Sequence, residues 1–209
     1  MREVSNLSHE NTTNQISVEV AMEKLVEGNR RFVTGTLSAK DLGRDKREDL
    51  LKNGQHPFAV IVTCSDSRVP PELLFDQALG DLFVIRVAGN VLDSVSLGSV
   101  EYAVDHLHTP LVVVLGHENC GAVHATVEGG DPPGSIGAIT TLIQPSVDKA
   151  RAMGFDGHQL CEKAADENIR TTLEDLKRSP VVKNLVANGK LTLAGAKYFI
   201  GSGEVVFFD

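Results

Sequence analysis

Three short runs of β-branched and aliphatic residues constrain this chain more than any other feature: Phe58–Cys64 (FAVIVTC), Leu82–Val87 (LFVIRV) and Leu111–Gly116 (LVVVLG). None alternates polar with apolar positions. Each therefore reads as a strand buried on both faces of a sheet. A fourth run covers Leu191–Phe199, and Val205–Phe208 follows the turn residues Gly201–Gly203 as a hairpin return. Helical periodicity fills the intervals, over Pro71–Leu79, Ser94–Leu107, Asn119–Glu128, Ile136–Ala152 and Leu160–Arg178. Strands alternating with helices need crossover connections and hence a parallel sheet. The expected fold class is α/β: a mostly parallel central sheet of four strands plus an antiparallel edge strand, flanked by helices. Ahead of the sheet, Val18–Val33 sets Val18, Met22, Leu25 and Val26 on one helical face, and Lys46–Lys52 is a second amphipathic stretch. Together they form an N-terminal helical arm of the kind that packs on a neighbouring surface.

Residues 1–17 are polar and read as a disordered or flexible tail, and residues 18–209 as a single domain. The loop Gly129–Gly137 (GGDPPGSIG) is turn-rich but too short to divide that domain. Aromatic residues are 5% of the chain and Trp is absent, so the core is aliphatic. A net charge of -8, thinly spread, argues against nucleic-acid binding, which calls for a basic face. The longest apolar run is far too short to span a membrane. Three cysteines cannot all pair within one chain, and the first residues lack the apolar stretch of a secretory signal. A reducing cytoplasm is the expected location, where free thiols call for a metal, a catalytic role or burial.

Ligands in open α/β sheets bind at the carboxyl ends of the strands. Two strand ends here carry polar clusters: Cys64-Ser65-Asp66-Ser67-Arg68 after FAVIVT, and Gly116-His117-Glu118-Asn119-Cys120-Gly121 after LVVVL. If those strands are neighbours, Cys64, His117 and Cys120 converge. Two thiolates and an imidazole suit zinc, and three protein ligands leave the fourth tetrahedral position open, as in catalytic sites. The bland alternative is that the cysteines are buried small hydrophobes. Gly121 would let a small molecule approach without meeting a side chain. His124 is a rival ligand that would lie further along the helix, second to the metal or in solvent. Cys161 reads as structural, and His56, His106, His108 and His158 as surface or turn residues.

The pair C-S-D-S-R-V-P at Cys64–Pro70 and G-H-x-x-C-G-A-V at Gly116–Val123 resembles the two-part signature of β-class carbonic anhydrases. The likeness extends to Phe75-Asp76, Leu82-Phe83-Val84, Arg86 and Gly98–Val104, and runs from about Val18 to the C-terminus. It implies one Zn2+ per subunit on Cys64, His117 and Cys120, and reversible hydration of CO2 to bicarbonate and a proton by attack of zinc-bound hydroxide. It implies that Arg68 holds Asp66 off the metal through a bidentate pair, so that ionised Asp66 accepts the O–H of the hydroxide. It places Gln55, Phe83 and Tyr102, with Gly121, in the substrate pocket of the plant-type subgroup, partly across a dimer interface. A homodimer or a dimer of dimers is implied. With two thiolates cancelling the metal charge, activity should favour alkaline pH.

One departure narrows the subgroup. Relatives with a regulatory bicarbonate pocket carry Trp three residues before the first cysteine, where this chain has Ile61. Arg86 alone cannot make that pocket, so no such inhibition site is expected. Two other functions compete: hydrolysis of CS2 or COS on the same scaffold, and a non-catalytic zinc protein. The second would show a fourth protein ligand and no Asp–Arg pair.

Overall fold

The computed structural model describes residues 16–208. Most of the tail expected over residues 1–17 lies outside the described residues. Its last two residues do not: Ile16 packs against the core and the Ser17 hydroxyl caps the first helix.

The helices are α1 (Val18–Thr34), α2 (Arg44–Asn53), α3 (Pro71–Leu74), α4 (Ser94–Asp105), α5 (Gly121–Glu128), α6 (Ile136–Ala152), α7 (Gly157–Arg178) and α8 (Pro180–Ala187). The strands are β1 (Ala59–Thr63), β2 (Leu82–Arg86), β3 (Leu111–His117), β4 (Thr192–Tyr198) and β5 (Val205–Phe207). They form one sheet in the order β2-β1-β3-β4-β5. All pairings are parallel except that of β4 with β5. This is the α/β architecture expected from the sequence, edge strand included.

Burial on both faces follows from the unbroken apolar runs. Ala59, Ile61, Val113 and Leu115 point to one side, where Ala21 and Leu25 of α1 and Leu74 of α3 cover them. Val60, Val62, Val112 and Val114 point to the other, under α4, α7 and α8. A third apolar cluster, between α5, α6 and α7, includes Val123, Ile143, Val147 and Ala164 and reaches Cys64 and Cys120.

Two helical expectations are corrected, and one further helix, α8, was not expected. The helix expected over Pro71–Leu79 stops at Leu74. Asp76 then takes a left-handed conformation, φ 50°, which directs its carboxylate at Arg31, Ser38 and Lys40. Burial works to raise the Asp76 pKa, but hydrogen bonds from Lys40, Ser38 and Arg31 outweigh it and hold the carboxyl well below the usual range. In α1 the buried stripe is Ala21, Leu25 and Gly28 at helical spacing, and Val26 is exposed because it lies one residue round from that stripe. The helix α8 follows α7 directly. Pro180 opens it at the first helical position, and the Ser179 hydroxyl accepts from the Val182 amide as its cap. Among the described residues, no helix is long and apolar enough to cross a membrane.

Asn29 ties α1 to both ends of the fold. Its Nδ2 donates to the carbonyls of Leu74 (3.1 Å) and Gly203 (2.9 Å), and its Oδ1 accepts from the Val205 amide at 2.8 Å. Substitution Asn29→Ala removes all three bonds, and at about 1 kcal/mol net for each the expected loss is about 3 kcal/mol. A urea titration should show a lower midpoint with an unchanged slope. A loss well under about 1 kcal/mol would mean that water takes over the side chain's bonds.

Candidate metal centre

The sheet order reverses between β1 and β3, since the chain passes from β1 to β2 on one side and later enters β3 on the other. Loops leaving the carboxyl ends of two such strands diverge and open a crevice. Cys64 follows β1 directly, His117 ends β3, and Cys120 caps α5. Their donor atoms lie within 4.8 Å of one another, and all three residues are buried. Among the described residues this is the one such cluster of histidine, cysteine and carboxylate groups.

The histidine is set for a ligand. Its Nδ1 lies 2.8 Å from the Glu118 carbonyl oxygen, which can only accept. The ring proton therefore sits on Nδ1, and Nε2 keeps its lone pair. That Nε2 is buried and has no hydrogen-bond partner. A buried acceptor left unpaired is costly, and a metal ion would satisfy it.

The two thiols interact directly. The neighbouring Cys120 thiol, with the Gly89 amide, outweighs burial and holds Cys64 well below the usual thiol range. The proximity of Cys64, with burial, pushes Cys120 up. The Gly89 N–H lies 3.2 Å from Cys64 Sγ. A soft, buried, electron-rich donor set of this kind fits zinc and suits neither calcium nor magnesium, which take oxygen ligands.

Asp66 and Arg68 form a bidentate pair beside the donors. Arg68 Nε donates to Asp66 Oδ1 at 3.0 Å and Nη2 to Oδ2 at 2.7 Å. The Arg68 backbone amide adds a third bond to Oδ1 at 2.9 Å. Asp66 Oδ2 lies 3.9 Å from His117 Nε2. The hydrogen bond from Arg68 is the main cause that lowers the Asp66 pKa to about 2.

The surrounding loops are braced. Arg86 donates to the carbonyls of Cys64 (3.1 Å) and Asp66 (2.6 Å). Asn119 sits at φ 52° between the two later donors, and its amide donates to Glu162 Oε1 at 2.8 Å. Glu162 is held in turn by buried Lys197 on β4, which also pairs with Asp166. The braces from Arg86 and Gly89 were not legible as such. Arg86 read only as a remnant of a pocket, and the one signal for Gly89 was Gly-Asn, two residues that tolerate the left-handed region, just after a strand.

The remaining candidates are dispersed. Gly121 opens α5 on the exposed side of the donors, and a Cβ there would meet nothing within 4 Å. Phe83 pairs in register with Val60, three positions before the Arg86–Thr63 pair, so it lies roughly 10 Å back along the strand from the donors. Tyr102 on α4 stacks near it, with ring centroids 6.2 Å apart, and is half exposed. Gln55 is exposed in the loop before β1. His124 lies outside the donor cluster, with its ring 6.2 Å from that of His158. His158 Nε2 is 3.1 Å from Asn119 Oδ1. Cys161 is buried apart from the cluster, and burial raises its pKa.

Comparison with known proteins agrees with this geometry. Residues 59–205 match the carbonic anhydrase family model. The chain is 41% identical over 194 residues to carbonic anhydrase 2 of Mycobacterium tuberculosis, covering 90% of this chain and 92% of that one. It is 40% identical over 190 residues to a carbonic anhydrase of Mycolicibacterium smegmatis, covering 88% and 90%. Among solved structures, the β-carbonic anhydrase CcaA superposes with a TM-score of 0.73 at 32% identity, over 90% of this chain and 95% of that one. The Coccomyxa β-carbonic anhydrase does so with a TM-score of 0.70 at 28% identity, over 88% and 85%. With its donors at two neighbouring strand ends and these relatives spanning most of its length, the chain belongs to the carbonic anhydrase family, in the β-class.

Proposed function

We propose that this protein catalyses the reversible hydration of CO2 to bicarbonate and a proton, with one zinc ion per subunit held by Cys64, His117 and Cys120. The observation that carries the reading is the bidentate pair of Asp66 with Arg68 beside the three donors. A carboxylate two residues from a metal ligand would otherwise bind the metal and close its fourth position. When bound, zinc would act as a Lewis acid that brings the ionisation of water towards neutral pH.

The chain's own groups do the rest. The His117 Nδ1–H bond to the Glu118 carbonyl fixes the ring and leaves Nε2 for the ion. Ionised Asp66 can only accept hydrogen bonds, so it accepts the O–H of the attacking oxygen and leaves a lone pair aimed at the carbon of CO2. Arg68 holds both carboxylate oxygens in that role. Gly121 leaves the approach free of side chains. The two thiolates cancel the charge of the ion, which favours activity at alkaline pH.

Gln55, Phe83 and Tyr102 lie away from the donors of their own chain. We assign them to the substrate pocket of a neighbouring subunit, in a homodimer or a dimer of dimers. A donor set with two thiols belongs in a reducing compartment, which supports the cytoplasm as its location.

Three measurements test the reading. Elemental analysis should find one zinc per chain, and a chelator should abolish CO2 hydration until zinc is restored. Sulfide release from CS2 or COS without CO2 hydration would replace the proposed substrate. Substitution Arg68→Ala should retain zinc and lose about a hundredfold in turnover, the size of a positioned proton-handling group. A fully active Arg68→Ala enzyme would remove the Asp–Arg pair from the mechanism.

The third measurement concerns acid. The folded Asp66 pKa, about 2, lies below the ordinary value of roughly 4. Its contribution to stability is therefore complete above about 4 and lost as the pH falls through about 2. In the metal-free Arg68→Ala protein the midpoint should rise towards about 4, read from the Asp66 carboxyl 13C shift. An unmoved midpoint would show that the guanidinium does not set it.

A further inference from the structure

We propose that Asn168 is a positioning residue for the metal ligand Cys64, acting through the backbone of Gly89. The inference rests on the reading of Cys64 as a ligand, and concerns what sets the electron density on its sulfur.

Cys64 Sγ accepts the backbone N–H of Gly89 at 3.2 Å. Gly89 belongs to a short turn, Ala88–Asn90, where the chain leaves β2. It sits there in the left-handed region, at φ 72°. The space is closed as well: a Cβ on Gly89 would lie 2.6 Å from Ile143 Cδ1 and 3.2 Å from the Ala122 Cβ. Asn90 follows in the same region, at φ 47°. Two consecutive left-handed residues do not hold themselves, and Asn90 gains no side-chain hydrogen bond through its buried Nδ2.

Helix α7 supplies the restraint from far along the sequence. Asn168 Nδ2 donates to the Gly89 carbonyl at 2.6 Å. One helical turn on, the Thr172 hydroxyl donates to the Asn90 carbonyl at 3.1 Å. Asn168 is 1% exposed and Thr172 2%, so water does not compete for either bond. The helix thus fixes both carbonyls of the turn, and with them the direction of the Gly89 N–H.

A hydrogen bond to a thiolate withdraws charge from the sulfur. The sulfur then donates less to a bound metal, and the metal remains a stronger Lewis acid. In a site with two thiolates this matters more than usual, because the ligands alone already cancel the ionic charge. Asn168 therefore offsets part of that loss without touching metal or substrate.

Cobalt(II) substitution reads this directly, through the sulfur-to-metal charge-transfer band. Asn168→Leu keeps the size and removes both donor and acceptor, and Asn168→Ala removes the side chain altogether. Thr172→Val loosens only the second bond. In the cobalt-loaded protein the band should move to longer wavelength in both Asn168 variants and less far in Thr172→Val. Activity of the zinc enzymes should shift to higher pH in the same order. Leu176→Val, which loosens the same helix two turns from Asn168, should leave the band unmoved. A band that stays in place in the folded Asn168 variants, or moves equally in Leu176→Val, overturns the positioning role alone. A wild-type protein that takes up cobalt without any such band overturns the metal reading itself, and the role of Asn168 with it.

Discussion

Direct parallel pairing of β1 with β3 is the constraint on which the site depends. The register sets Thr63 opposite Leu115, so the residues that follow emerge side by side at the same edge of the sheet. Cys64 comes from one strand end, and His117 and Cys120 from the other. No strand stands between them, because β2 lies on the far side of β1. Two apolar faces, covered by different helices, hold that pairing rigid. A slip of one residue would turn every buried Val and Ile of β1 to the opposite face, so the core and the donor positions are specified together.

Beside the donors, polar groups have more to do with direction than with stability. The Asp66–Arg68 pair is partly open to solvent, with half of the arginine side chain exposed. Exposed ion pairs contribute little to folding. What this one does is occupy both oxygens of a carboxylate beside a donor set. Arg86 likewise spends its donors on two backbone carbonyls of the same loop. Glu162, Lys197 and Asp166 form the matching brace on the other side.

Much of this was legible in the sequence because the strands are unbroken apolar runs and the donors sit at their ends. The order of elements, the parallel sheet and the antiparallel return all follow from pattern. Helix ends were less legible, since tertiary bonds decide them. Asp76 follows the end of α3, where Arg31 on α1 and Ser38 and Lys40 after it hold its carboxylate, and nothing in Pro71–Leu79 announces those partners. Pro180 reads as a breaker, yet it opens α8 because Ser179 supplies the cap. The Gly89 amide was invisible for a different reason. Backbone donors carry no residue identity, and only the position of α7 shows where this one points. Gln55, Phe83 and Tyr102 were marked by likeness, and within one chain they lie apart from the donors.

The spacing of the donors has a consequence for how such a chain folds. Cys64 and Cys120 are more than fifty residues apart, and helices α3 and α4 with strand β2 lie between them. A metal held there cannot nucleate folding as it does in a zinc finger, where the ligands are local. β1 and β3 must first pair at long range, a slow and entropically costly step, before the donors meet. The ion would arrive last, at a pocket already shaped by an aliphatic core. Its loss would leave the architecture standing.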